Sequence, residues 1–208
     1  MSLDSSQLLT MGELLWKQAE QNSEDFAIAL SLAESYGSYS DTLIQDFAIA
    51  INEKLRRKLK EKQDEEFLVG FTVKDDASIR REVLEKDIHY FGLDWEGDIS
   101  VVITSWPASM QRCYWGLWVA EKVRDVVDVV RAQAELSTQF NGKKGGDTCV
   151  SWNWFGDSDA KNWKAPRAVE RMTKAIRRQG AEGDTAFLDI FVDTLISVAL
   201  IAEKNMKK

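Results

Sequence analysis

At 208 residues, with 44% hydrophobic and 29% charged content, the chain has the composition of a globular protein and is long enough to bury roughly 70% of its unfolded surface without a disulfide or metal staple. A mean hydropathy of -0.32 excludes neither helix nor sheet but speaks against both a membrane protein and a disordered one. Net charge is -7, unevenly spread: residues 1–53 hold nine Asp/Glu and one Lys, whereas Lys54, Arg56, Arg57, Lys58, Lys60 and Lys62 form one basic zone and Lys161, Lys164, Arg167, Arg171, Lys174, Arg177 and Arg178 another, opposed only by Glu170.

Residues 5–35 carry Leu8, Leu9, Leu15, Phe26, Leu30 and Ala33 among acids, the pattern of one broken helix or two shorter ones ended by Gly37. Asp41 is placed to cap a second helix in which Ile44, Phe47, Ile51, Leu55 and Leu59 recur every three or four residues, with basic last turns that suit the helix dipole. Phe67, Val69, Phe71 and Val73 alternate with Leu68, Gly70, Thr72 and Lys74, which predicts a strand with one buried face. Ile79, Val83, Leu84, Ile88 and Phe91 follow a helical spacing, with an extended Val83–Leu93 segment around Gly92 as the alternative.

Ile99–Trp106 and Arg112–Val119 are rich in β-branched and aromatic residues, and Pro107-Ala-Ser-Met-Gln between them predicts an antiparallel hairpin. Val119, Val123, Val126, Val127, Val130 and Ala134 place one apolar stripe on a predicted helix, which the glycines of Asn141-Gly-Lys-Lys-Gly-Gly-Asp stop. Cys149–Phe155 reads as a short aromatic strand. Pro166 suits the first position of a helix bearing Val169, Met172 and Ile176, and Asp184 can cap a last helix with Phe187, Leu188, Phe191, Leu195, Val198 and Ala202 inward.

These elements predict an α+β fold, N-terminal helices followed by a small antiparallel sheet of three or four strands covered by helices. The charged stretch 60–66 divides a helical part, 1–62, from an α+β domain, 66–208, unless the whole chain is one domain. Two cysteines, Cys113 and Cys149, are too few for a disulfide framework, the N-terminus has no basic region leading into an apolar core, and the longest apolar run, Leu195–Ala202, is far short of the ~20 residues a membrane span needs. The expectation is a cytoplasmic protein with free thiols and no membrane.

Residues with catalytic chemistry are sparse. The one histidine, His89, excludes paired-histidine metal sites, and no Gly-x-Ser-x-Gly elbow accompanies it. Gly142-Lys-Lys-Gly-Gly lacks the spacing of a phosphate loop and follows a helix where such a loop precedes one. Asp157-Ser-Asp159 offers two carboxylates without the further oxygen ligands of a calcium loop, so neither a metal nor a cofactor is expected.

Tryptophan is the distinctive residue: eight in 208, with Trp115 and Trp118 in one group and Trp152, Trp154 and Trp163 in another. On a strand Trp115 and Trp118 face opposite sides and Trp152 and Trp154 share one, so either a thick aromatic core or an exposed stacking platform follows. The basic stretch beginning at Lys161 supports the platform, because aromatic rings beside Lys/Arg are the chemistry that grips nucleic acid strands.

The runs Tyr90-Phe-Gly-Leu-Asp-Trp, Tyr114-Trp-Gly-Leu-Trp and Trp152-Asn-Trp-Phe with Asn162-Trp163 resemble the C-terminal part of PD-(D/E)XK nuclease-like proteins, over residues 65–205. The resemblance implies a phage or defence-related context. It does not extend to catalysis, since neither Phe-Leu-Val-Gly-Phe-Thr-Val-Lys nor Ile-Ser-Val-Val-Ile-Thr-Ser-Trp contains the Glu-x-Lys that, with an upstream Asp, holds the metal in that family.

The leading expectation is therefore a non-catalytic binding or interaction module for nucleic acid or a protein partner, working through Trp152, Trp154, Trp163, Lys161, Lys164, Arg167, Arg171, Lys174 and Arg178. Two alternatives stand beside it: a protein inhibitor or mimic acting through the acidic residues 1–53, and a hydrolase using His89 or the Asp157/Asp159 pair.

Overall fold

The computed structural model describes residues 23–85, 91–105, 110–177 and 185–206. By internal packing the chain divides into two compact units, residues 1–42 and 43–208; the sheet and the core described below belong to the second. Helix α1 (Ser23–Asp64) leads to strand β1 (Phe71–Val73), helix α2 (Asp76–Glu85) and strands β2 (Phe91–Trp95), β3 (Ile99–Ser105) and β4 (Cys113–Val119). Helix α3 (Val129–Phe140), strands β5 (Lys143–Lys144) and β6 (Cys149–Trp154), and helices α4 (Ser158–Lys161), α5 (Pro166–Arg177) and α6 (Thr185–Lys204) follow. All strand pairs are antiparallel, in the order β1-β2-β3-β4-β6-β5. The fold is α+β, with six strands among the described residues where the sequence pattern predicts three or four.

The period-3.6 stripe of α1 is its buried face: Ile44, Phe47, Ile51 and Leu55 are at 0% exposure and join one core with the strand residues Phe91, Leu93, Ile99, Val101, Ile103, Trp115 and Leu117. Helix α6 joins the same core, its Phe187 and Phe191 against Phe47 of α1. Its mean hydropathy of 2.0 over an 18-residue window would suit a membrane span, yet ten of its 20 residues, among them Phe187, Phe191, Leu195 and Val198, are buried against the sheet and its neighbouring helices.

Local chemistry explains where the pattern reads differently from the fold. Gly37 and Asp41 lie inside α1 instead of between two helices. The strand predicted from Phe67 shrinks to Phe71–Val73, because α1 closes with Glu66 at φ 65° and amide bonds from Phe67 to the Lys62 carbonyl and from Glu66 to that of Gln63, the two bonds of a Schellman turn. That turn reverses the expected faces: Leu68 is buried while Phe67 and Val69 are 51% and 63% exposed. The Gln63 amide donates to the Leu68 and Phe71 carbonyls and that of Asn52 to Lys74, so helix side chains occupy carbonyls along the edge strand β1.

The predicted valine helix is also divided. Val119 ends β4, Glu121–Val123 is a short 3-10 turn, Val127 bridges Met206, and α3 starts only at Val129, where the Asp128 carboxylate accepts from the Arg131 amide. Val130, on the expected apolar stripe, is 78% exposed, and Ala132 and Leu136 form the buried face. The predicted helix is borne out only at Ile79 and Val83: α2, capped by Asp75 through the Ser78 amide, runs to Glu85, Ile88 lies outside the described residues, and Phe91, expected on the same helix, opens β2. Asp184, Trp106, most of the Pro107–Gln111 turn, and residues 5–22 of the first predicted helix lie outside the described residues.

Candidate functional site

Strand alternation sends one set of β4 side chains into the core and the other set away from it. Trp115 and Leu117 belong to the first set and are buried; Tyr114 and Trp118 belong to the second and are half-exposed. Register then aligns β6 with them, pairing Tyr114 with Trp154 and Gly116 with Trp152, so Tyr114, Trp118, Trp152 and Trp154 share the outer face.

Three of these rings meet one another edge to face. Tyr114 lies 5.4 Å from both Trp152 and Trp154, at 64° and 83°, and the two tryptophans are 5.6 Å apart at 88°. Such edge-to-face pairs are worth about 0.5–1.5 kcal/mol each beyond area burial, which holds the rings in place without burying them. Trp118 occupies the space above Gly116: a Cβ there would stand 2.0 Å from its six-membered ring, so only glycine fits.

Cations border the aromatic group. The Lys143 ammonium stands 5.1 Å from the Trp152 ring centre and that of Lys161 4.8 Å from Trp154. Arg112 is exposed and makes no ion pair or hydrogen bond with another described residue. Between these groups lies an open cleft of about 340 Å³, walled by Tyr114, Trp118, Trp152 and Trp154 and by Gly145, Gly146 and Cys149, with Arg112 at its side and no carboxylate in its lining.

The remaining predicted residues are placed elsewhere. Trp163 belongs to the core, at 0% exposure, its ring 5.1 Å from Phe47 and 5.3 Å from Phe191 and its indole N–H donating to the Ala160 carbonyl. It is no part of a surface, because the α4 turn between Trp154 and Trp163 carries the chain back under the sheet. Arg171 binds both Asp157, at 2.6 Å, and Asp159, and lies 4.1 Å from the Phe187 ring. Arg167 pairs with Asp159 and Lys174 with Glu170. Lys164 is half-buried and has a partner of its own. Arg178 and His89 lie outside the described residues.

The paired carboxylates thus have structural work. Asp157 caps α4 through the Asp159 and Ala160 amides; burial pushes its carboxyl up, and Arg171 with those amides outweighs burial and brings it below the ordinary value. No three His/Cys/Asp/Glu side chains among the described residues are arranged to hold a metal ion. Burial pushes the Cys149 thiol up to about 11 and that of Cys113 higher still, so at neutral pH neither supplies the thiolate that a cysteine nucleophile requires.

Compared with known proteins, the chain matches no family model, no curated protein and no solved structure.

Proposed function

We propose that the protein is a non-catalytic binding module that takes single-stranded nucleic acid on the outer face of its sheet. The observation that carries this reading is the set of half-exposed rings, Tyr114, Trp118, Trp152 and Trp154, bordered by Lys143, Lys161 and Arg112 with no acid in the cleft between them. Unstacked bases need ring surfaces and a backbone needs cations, and both are offered here within one surface. A duplex, whose bases are stacked on each other, would use only the cations.

The cations on α5 are a weaker support, since Arg167, Arg171 and Lys174 are each neutralised by an acid. The kinship suggested by the aromatic runs fits a recognising partner in a phage or defence-related system, acting beside a separate cleaving protein. Intrinsic tryptophan fluorescence titrated with single- and double-stranded oligonucleotides at two salt concentrations tests the reading. The expected outcome is salt-sensitive quenching by single strands at micromolar concentration or below and weaker binding of duplex. Absence of any response, together with a basic or stoichiometric protein recovered on the immobilised chain, would instead favour inhibition through the acidic residues 1–53.

A further inference from the structure

We infer that the cleft beside β4 and β6 is the seat of a single nucleobase, and that Arg112 holds the phosphate of the same nucleotide; this rests on the strand-binding reading above. The cleft, about 340 Å³, lies at the lower end of the roughly 300–1,000 Å³ range of small-molecule sites, the scale of one nucleotide and not of a folded peptide. Its walls are ring surface on the sheet side, from Tyr114, Trp118, Trp152 and Trp154, and on the other side the loop that follows β5.

That loop is built to leave room. Gly145 packs so closely on Cys149 that a Cβ would lie 2.6 Å from the sulfur, whereas Gly146 has nothing within 4 Å of the corresponding position. The wall is therefore bare backbone over open space, where a planar ring can approach closely and meet peptide N–H and C=O groups. Lys143 and Lys161 stand over Trp152 and Trp154, on the flanks, and Arg112 is the cation within the cleft that no described acid engages. A guanidinium beside an apolar slot matches a group with an aromatic part and an anionic part a few bonds away, and its planar fork suits two phosphate oxygens.

Cys149 lines the cleft and supplies a reporter, while Cys113, at 0% exposure, stays silent. The experiment measures the rate of Cys149 alkylation by iodoacetamide in the full chain, alone, with adenosine monophosphate and with an eight-nucleotide single-stranded DNA, alongside fluorescence titration of the DNA. The expected result is slowing of about tenfold by saturating DNA and by millimolar nucleotide. In Gly146→Gln, whose side chain enters the open space, protection is lost and DNA affinity falls. In Arg112→Gln the salt dependence of single-strand binding drops by about 0.7 in the log–log slope, the value for one lost phosphate contact.

Gly146 and Arg112 are both exposed, so each variant retains the wild-type thermal transition. DNA binding with unchanged Cys149 reactivity, and with an Arg112→Gln slope equal to wild type, would overturn the nucleotide seat and leave the strand-binding surface standing. No DNA binding in the wild-type chain would remove both.

Discussion

The two faces of the sheet are both aromatic, and they do opposite things with their rings. On the inner face Trp163 meets Phe47, Phe91 and Phe191, contributed by α1, β2 and α6, and is sealed from water. On the outer face Tyr114, Trp152 and Trp154 meet mostly one another, and cations instead of aliphatic side chains lie over them. Ring content alone does not distinguish a core ring from a surface ring. The distinction lies in what covers the ring: helices from distant parts of the chain on one side, local rings and lysines on the other.

The comparison is broken most sharply by removing one ring from each face. Trp163→Ala should cost about 3–5 kcal/mol and lower the melting temperature by roughly 10 °C, since it opens a cavity between several elements. A melting temperature near wild type would mean that Trp163 is not the core residue its burial indicates. Trp154→Ala should leave stability within about 1–2 kcal/mol and instead weaken single-strand binding by roughly 5- to 150-fold, the effect of about 1–3 kcal/mol per stacked base. Loss of cooperative unfolding in this variant would place the outer rings in a structural role as well.

A smaller effect separates the basic stretch from the platform. Asp157→Asn should cost about 1 kcal/mol, because it removes the charge that pairs with Arg171 while its amide oxygen still accepts from the α4 amides, and should leave oligonucleotide affinity unchanged. The Asp157 carboxyl is depressed in the folded protein, so its contribution is complete above its unfolded value, about 3.9, and disappears as pH falls through the lower folded value. The difference in urea midpoint between wild type and variant should accordingly be flat from pH 7 to about 5 and shrink below about 4. A difference that grew on acidification would contradict this pairing.

The smallest effect leaves stability untouched. Because burial raises the Cys149 thiol to about 11, its alkylation rate should rise close to tenfold per pH unit through the neutral range and level off near that value. A plateau at pH 8 to 9 would show an ordinary exposed thiol and a wider cleft.

Much of the local structure is legible in the residues. The α1 stripe, the β3–β4 hairpin, the common face of Trp152 and Trp154, and the inward residues of α6 follow from periodicities of 3.6 and 2. The site is less so. Tyr114, Trp115, Leu117 and Trp118 are apolar on both sides of the strand, so alternation separates two sets without saying which faces the core. Lys143 joins the rings only through sheet register, which sets it opposite Trp152. Trp163 is nine residues from Trp154 and adjacent to the basic stretch, which makes it resemble a platform residue until the α4 turn is seen to reverse the chain.

By itself the sequence determined the α+β class, the amphipathic helices and the pairing of aromatics along each strand, because these depend on intervals of a few residues. The tertiary structure alone decided which tryptophans meet water and which arginines are already neutralised. Those outcomes depend on residues far apart in the chain: Phe47 and Phe191 enclose Trp163, and Asp157 meets Arg171 only after a turn. Burial and charge pairing are properties of what the fold brings together, and no local pattern contains them.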